Sequence, residues 1–144
     1  GTHDLFAMHS LSAQDLHEGT TQGILRVADV DGHVVGFALC GQVDGHAHLF
    51  EMDVVPGHGR RGIGSGLLES VCVLTAARGL QSITLSTLRN VPWNAPFYAA
   101  RGFVEIDESE WGPQLAVIIG NERILGVPPE LRVVMRRKLP AAET

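Results

Sequence analysis

The sequence predicts an α+β domain built on a central mixed sheet. Two Asp-Gly pairs, Asp31-Gly32 and Asp44-Gly45, separate runs rich in β-branched and aromatic residues, which is typical of consecutive antiparallel hairpins. A glycine-rich run and an amphipathic segment come next, followed by another β-rich run, so a helical crossover is expected to join two parallel strands. Antiparallel strands first and one crossover afterwards favour an α+β fold over a doubly wound one.

Length and composition indicate a single domain over residues 1–144. Hydrophobic residues make up 44% of the chain, which argues against disorder, and the net charge of −5 excludes a general nucleic-acid footprint. No apolar run approaches the roughly 20 residues of a membrane span, and no signal peptide is recognisable. Cys40 and Cys72 lie in apolar runs, as buried thiols in a reducing compartment do. We therefore expect a cytoplasmic protein with no nucleic-acid or membrane partner.

The first half of the chain predicts a short helix and three strands. The segment SAQDLHEGTTQG is expected to form a helix that Gly23 ends. The strands follow as ILRVADV, HVVGFALCGQV and AHLFEMDVV, joined by the two Asp-Gly turns.

The second half predicts helices alternating with strands. A helix opens after the glycine-rich run and ends at Gly79, with an apolar stripe of Ile63, Leu67, Val71 and Leu74. The strand QSITLST follows, parallel to the strand before the glycines. Next come a short helix APFYAAR with Asn94 as its N-cap, a strand FVEID, a helix around QLAVIIGNE and a closing strand RVVMRRKL.

The run PGHGRRGIGSGLL, residues 56–68, predicts a binding site for a phosphate group. It holds five glycines and two arginines, although each glycine costs a helix about 1 kcal/mol relative to alanine. The N-terminus of a helix leaves N–H groups unpaired and carries partial positive charge, so it attracts anions. Glycines let the anion touch the main chain, and Arg60 and Arg61 add charge-assisted hydrogen bonds.

Two familiar phosphate-binding motifs do not fit this run. A P-loop needs Lys and then Ser or Thr after its last glycine, where Ile63 and Gly64 stand here. The dinucleotide pattern G-x-G-x-x-G is matched by GHGRRG, but residues 70–104 contain no Asp or Glu to hold a ribose. The preceding hairpins also contradict the parallel sheet of a dinucleotide fold.

The segment MDVVPGHGRRGIGSGLLE resembles the acyl-CoA-binding signature of the GNAT superfamily of N-acetyltransferases. Downstream, VPWNAPFYAARGF resembles the superfamily's Asn…Tyr…Gly-Phe segment. The resemblance covers the chain from about Ile24 to Leu139 and implies a three-layer fold, acetyl-CoA as cosubstrate and acetyl transfer to an amine. This sequence departs from the family at Gly59, where members usually carry Gln or Arg. The family's opening strand and most of its first helix have no counterpart before Ser12.

The resemblance also implies which residues bind coenzyme A. The main-chain N–H groups of Val54 and Val55 are expected to face the thioester and pantetheine, where the strand separates from its neighbour. Asn94 is expected to bond the pantetheine amide, with a purely capping role as the alternative. The remaining residues of the implied cofactor set are Gly59, Arg60, Arg61, Gly62, Ile63, Gly64, Ser65, Phe97 and Tyr98.

Direct attack by an amine on the thioester needs a base, a donor for the oxyanion and an acid for the leaving thiolate. The resemblance makes Glu51 the base, acting directly or through water. Asp53 lies on the same strand face by the period of two and is the alternative. Tyr98, the only tyrosine, matches the family position that protonates the thiolate.

The sequence predicts no metal site. His46 and His48 share a face as alternate strand residues, but Glu51 has the opposite parity and cannot join them without a bulge. We expect these histidines to lie at a solvent-exposed strand start.

The sequence leaves the acceptor open among amino acids, polyamines, antibiotics, peptide N-termini and protein lysines. A homodimer stays open as well, because family members often dimerise. The alternative function is a non-catalytic acyl-CoA-binding module, which would keep the glycine loop and need neither Glu51 nor Tyr98.

Overall fold

One mixed sheet with helices on both faces accounts for the described residues. The structure is a computed structural model that describes residues 7–12, 23–55, 62–89, 94–124 and 129–141. The strands are β1 (Ala7–Ser12), β2 (Ile24–Val30), β3 (His33–Val43), β4 (His46–Val54), β5 (Ser82–Leu88), β6 (Val104–Glu105) and β7 (Arg132–Lys138). The helices are α1 (Ile63–Ala77), α2 (Ala95–Ala99) and α3 (Pro113–Ile124), with short 3₁₀ turns at Glu108–Glu110 and Pro129–Leu131.

The strand order is β1-β2-β3-β4-β5-β7-β6, which confirms the predicted α+β class. Strands β1 to β4 are antiparallel neighbours, and β4 pairs with β5 in parallel through the crossover helix α1. Strand β7 inserts between β5 and β6 and is antiparallel to both. Within the described residues, no helix is long and apolar enough to cross a membrane.

Both predicted Asp-Gly hairpin turns are confirmed. Asp31 and Gly32 have φ of 52° and 82°, and Asp44 and Gly45 have φ of 54° and 78°. Positive φ at both central residues is the type I′ geometry, whose twist matches that of antiparallel strands.

Helices α1 and α2 cover one face of the sheet, called the α1 face, and α3 covers the other, called the α3 face. The buried residues of α1 include Ile63, Leu67, Leu68, Val71 and Cys72, and they pack with residues of β2 to β5 and β7. A separate cluster of Val43, Leu115, Ile119 and Val134 lies under α3. The sheet with one helical layer on each face makes the predicted three-layer fold.

Helix α1 approaches the sheet closely at Gly36 of β3. A Cβ there would lie 2.9 Å from the carbonyl oxygen of Asp53 and 3.1 Å from Cδ1 of Leu67. The missing side chain therefore brings α1 against β3 and β4, just beside the point where the glycine-rich run opens the helix.

The turn between β3 and β4 fixes the start of α3. The Asp44 carboxylate accepts hydrogen bonds from the backbone N–H groups of Gln114 and Leu115, both at 2.9 Å. The Asp44 N–H in turn donates to Oε1 of Gln114 at 2.7 Å. A Cβ on Gly112 would overlap the Asp44 carboxylate, so glycine is needed where the chain passes this cap.

The fold corrects two expectations. Strand β1 pairs with β2 along its whole length, so the expectation that the opening strand lacks a counterpart before Ser12 is wrong. Backbone hydrogen bonds hold β1 to β2, and these bonds do not require the alternation of apolar and polar side chains by which a strand is recognised in sequence. The predicted strand FVEID shortens to Val104–Glu105, because Asp107 caps the following 3₁₀ turn. The helix predicted before Gly23 lies mostly outside the described residues.

Candidate active site

Strands β4 and β5 pair over only two positions and then separate. The parallel ladder consists of Ala47 opposite Ile83 and His48 opposite Thr84. Beyond it lies a cavity of about 220 Å³, called the gap cavity, which is open at the carboxyl ends of both strands. Its lining comes from residues 49–52 of β4, residues 85–88 of β5, Asn94 and Tyr98 at α2, and Arg132 of β7. The structure thus brings Glu51 together with Asn94 and Tyr98, which lie more than 40 residues later in the sequence.

A β-bulge at Phe50 decides which way Glu51 points. Cys40 pairs with Leu49 but Leu39 pairs with Glu51, so β4 carries one extra residue. Past the bulge, Met52 and Val54 pack against the core of the α1 face, which places Glu51 on the α3 face.

The bulge overturns the parity argument made for the metal site, since Glu51 faces the same side of the sheet as His48. Asp53 shares this face with Glu51, as predicted, and both carboxylates are exposed. Asp53 does not appear in the lining of the gap cavity. In the described residues no three His, Cys, Asp or Glu side chains gather as metal ligands would.

The main-chain donors of β4 differ from the prediction by one residue. The N–H of Val55 donates to the carbonyl of Val35 at 2.7 Å, so the expectation that it is free for a ligand is wrong. Hydrogen bonding alternates along an antiparallel ladder, and Val55, Asp53 and Glu51 therefore donate toward β3. The N–H groups of Met52 and Val54 point the other way, toward the gap.

The first turn of α1 keeps its donors available. The first helical hydrogen bond runs from the N–H of Gly66 to the carbonyl of Gly62 at 2.9 Å, so the N–H groups of residues 63–65 have no partner within the helix. Gly62 stands at the N-cap with φ of 77° and offers no side-chain cap, and the first turn contains no acidic residue. This end of α1 suits an anionic group from outside the chain. Gly59, Arg60 and Arg61 lie outside the described residues.

The α2 segment carries the predicted acid. Tyr98 is 8% exposed, and its ring packs edge-on against Phe97 and Phe103 with centroids 5.1 and 5.6 Å away. Burial raises the pKa of Tyr98 to about 12, so its hydroxyl keeps its proton at neutral pH. Asn94 occupies the N-cap position of α2 but makes no side-chain capping hydrogen bond. Asn94 lines the gap cavity.

The comparison with known families bears directly on this arrangement. A sequence profile described as the acetyltransferase (GNAT) domain matches residues 21–105, which is more than half of the chain. The chain belongs to the GNAT acetyltransferase family. Membership identifies it as an N-acetyltransferase and confirms the resemblance on which the sequence interpretation depends.

Solved GNAT structures share this fold. A GNAT-family acetyltransferase from Staphylococcus aureus MU50 has a TM-score of 0.66 at 22% identity, covering 82% of this chain and 68% of that chain. The ribosomal-protein-S18-alanine N-acetyltransferase from Escherichia coli has a TM-score of 0.69 at 18% identity, covering 96% and 97%. The PaiA N-acetyltransferase from Thermoplasma acidophilum, solved in complex with coenzyme A, has a TM-score of 0.61 at 18% identity, covering 88% and 64%.

Arg101 makes contacts between α2 and the start of α1 that the sequence interpretation missed. Its Nε donates to Oγ of Ser65 at 3.1 Å, its Nη1 donates to the carbonyl of Phe97 at 2.9 Å, and its guanidinium stacks 3.8 Å from the centroid of the Phe97 ring. Arg101 therefore ties α2 to the first turn of α1. Arg101 lies four residues after Phe97 in the predicted helix APFYAAR, and this spacing could have indicated that the two side chains are in contact.

Phe97 and Ser65 are both held by Arg101 near the start of α1. A Cβ on Gly64 would lie 3.8 Å from the Phe97 ring and 3.8 Å from Val54, which is ordinary contact distance. Phe97, Gly64 and Val54 therefore meet along the path between the α1 terminus and the gap cavity.

We expected the two histidines of β4 to lie at a solvent-exposed strand start, and this expectation is wrong. His48 is 1% exposed and its Nδ1 lies 2.8 Å from Oγ1 of Thr84. His46 is half-buried and its Nδ1 lies 3.1 Å from Oγ of Ser82. Burial lowers the pKa of His48 from 6.5 to about 4, so its ring is neutral at physiological pH.

A larger cavity of about 580 Å³ opens on the α3 face beside the gap cavity. Arg132 lines both cavities and donates from Nη1 to Oγ of Ser86 at 2.9 Å. The other lining residues are Glu105, Ile106, Asp107, Glu108, Glu110, Trp111, Ile119, Val133 and Val134. The two cavities thus meet at Arg132.

Proposed function

We propose that this GNAT domain moves the acetyl group of acetyl-CoA to a primary amine by direct attack within a ternary complex. The observation that carries the proposal is the gap cavity, which is lined by Glu51 from β4 and by Asn94 and the buried Tyr98 from the α2 segment. Glu51 is the proposed base and Tyr98 the proposed acid.

The proposed seat of acetyl-CoA runs from the start of α1 to the gap. The N–H groups of residues 63–65, together with the loop residues Gly59, Arg60 and Arg61, hold the diphosphate. The N–H groups of Met52 and Val54 and the amide of Asn94 bond the pantetheine arm. Phe97 and Gly64 form the wall between these two ends. The N–H groups of α1 that have no partner within the helix, and the separated strands, support this assignment.

Glu51 and Tyr98 lie on opposite faces of the sheet, which suits a displacement in which the amine arrives on one side and the thiol leaves on the other. An alkylammonium ion with a pKa of roughly 10 must first lose a proton, which Glu51 accepts on the α3 face. The amine nitrogen then bonds the acetyl carbon, and the carbon–sulfur bond breaks. A main-chain N–H of β4 donates to the acetyl oxygen, and the Tyr98 hydroxyl donates its hydrogen to the departing sulfur. The second proton on the newly bonded nitrogen passes through solvent to the Tyr98 phenolate, which leaves a neutral amide, the CoA thiol and a restored Tyr98 hydroxyl.

A screen of primary amines tests the proposal. The protein is incubated with acetyl-CoA and, in turn, amino acids, polyamines, aminoglycosides and short peptides with free N-termini. Release of the CoA thiol in step with an acetylated product, identified by mass spectrometry, is the expected result. The same mixtures without amine measure plain hydrolysis of the thioester. Tight binding of CoA with no turnover on any amine would contradict the proposal and favour the acyl-CoA-binding module.

A further inference from the structure

The joint between β4 and β5 is short and is reinforced by side chains. Backbone pairing covers two positions, and two side-chain hydrogen bonds run beside it, from His46 to Ser82 and from His48 to Thr84. We call these two contacts the histidine clasp. The next residue on each strand, Leu49 on β4 and Leu85 on β5, already lines the gap cavity. The inner contact of the clasp, His48 with Thr84, is therefore the last bond before the strands part.

The inner contact is buried and joins β5 to β4 twice. Thr84 is 4% exposed, and its hydroxyl donates to the Ala47 carbonyl at 3.4 Å while lying 2.8 Å from Nδ1 of His48. The Thr84 hydroxyl and Nδ1 of the neutral His48 ring therefore share one buried hydrogen bond. Removing the hydroxyl would leave the buried ring nitrogen without this partner, and such a group regains a partner when the strands move or water enters.

We infer that His48 and Thr84 are positioning residues of the transfer reaction, because their contact fixes where the gap opens and how far β4 stands from β5. The inference rests on the proposed function, in which the pantetheine arm lies in that gap. Neither residue touches the reacting atoms. They act through the β4 backbone, whose N–H groups at Met52 and Val54 must face the thioester.

Three variants separate this role from ordinary stability. Thr84→Val removes the hydroxyl with little change of shape, and Thr84→Ser keeps it. Ser82→Ala removes the outer contact, which lies two residues farther from the gap along each strand. Thr84→Ala takes the place of Thr84→Val should the valine variant not fold.

The first measurement compares CoA with adenosine 3′,5′-bisphosphate, which lacks the pantetheine arm, by calorimetric titration. Thr84→Val is expected to raise the Kd for CoA about tenfold and to leave the Kd for the bisphosphate within about twofold of the native value. Thr84→Ser is expected to restore CoA binding, and Ser82→Ala to leave both affinities nearly unchanged. An unchanged CoA affinity in Thr84→Val, or an equal loss for both ligands, would overturn the inference.

The second measurement needs no ligand and keeps the inference separate from the proposed function. Amide hydrogen exchange of the free protein is expected to be faster in Thr84→Val along β4 and β5, and unchanged along β2 and in the body of α3. Should the native protein bind neither ligand, the proposed function fails. Whether or not it binds them, exchange rates along β4 and β5 of Thr84→Val that equal the native rates would refute the inference about His48 and Thr84.

Discussion

At the scale of single residues, the bulge at Phe50 separates two carboxylates that otherwise look equivalent. Glu51 and Asp53 are both exposed on the α3 face, but Glu51 lines the gap cavity and Asp53 does not. Glu51→Gln is expected to lower kcat by about 100-fold or more, because a general base contributes that much to such a step. The matched variant Asp53→Asn is expected to stay within about twofold of the native kcat. Steady-state kinetics with an amine found in the screen checks both.

The opposite ranking of these two variants would make Asp53 the base, and equal small effects would remove both from that role. A rise of KM for acetyl-CoA in Glu51→Gln with kcat unchanged would mean a binding role instead.

Tyr98 offers a second test at this scale, because its ring and its hydroxyl can be separated. The ring packs between Phe97 and Phe103, and Tyr98→Phe keeps that packing while removing the hydrogen donor. We expect kcat to fall by roughly 100-fold with little change in KM for acetyl-CoA. Thermal unfolding serves as the control and should be nearly unchanged. An unchanged kcat would exclude Tyr98 as the acid.

At the scale of elements, the Asp44 carboxylate ties the start of α3 to the β3–β4 turn. Asp44→Gly keeps the positive φ that the turn needs and removes the two hydrogen bonds to the helix start. We expect the free energy of unfolding to fall by about 1–2 kcal/mol, because two backbone N–H groups at the start of α3 lose a charged acceptor. Urea denaturation provides the measurement.

Asp31 supplies the control for this cap, because it has nearly the same φ in the matching Asp-Gly turn and caps no helix in the described residues. Asp31→Gly is expected to change the unfolding free energy by less than about 0.5 kcal/mol. Equal losses in the two variants would mean that Asp44 acts through the turn alone and that α3 does not depend on it.

At this scale, a structural feature could be predicted from sequence when the residues that cause it are neighbours in the chain. The turns at residues 31–32 and 44–45 follow from two residues each, and the helix opening at Ile63 follows from the glycines and the apolar repeat beside it. The bulge at Phe50 is different, because it depends on how β3 pairs with β4 and leaves no mark in the composition of β4 alone. The prediction that the N–H of Val55 is free was wrong for the same reason, because it too depends on how β3 pairs with β4.

The candidate site was predicted as a set of residues, and its geometry was not. Family motifs pointed to Tyr98 and Asn94, and the structure places both with Glu51 at one cavity. The contacts of Arg101 with Ser65 and of His48 with Thr84 join segments 36 residues apart, and pairings at that distance are not written in the periodicity of either segment.

At the scale of the whole molecule, the buried His48 makes stability depend on pH. Its pKa is about 4 in the folded chain and 6.5 when it is solvated, so the unfolded chain binds the proton first as the pH falls. The stability that the neutral ring supports is therefore complete above about pH 6.5 and is lost progressively as the pH falls toward about 4. The loss attributable to this one group amounts to at most about 3 kcal/mol.

His48→Gln tests this dependence because glutamine does not titrate. The variant is expected to be less stable than the native chain near pH 7, since its amide fills the site less well. The difference should shrink on acidification to about pH 5, because only the native chain carries the histidine-linked loss. Urea unfolding across this range gives both curves, and His33→Gln, at an exposed residue, should keep the native slope. Parallel curves for the native chain and His48→Gln would show that His48 is already protonated, or already solvated, in the folded molecule.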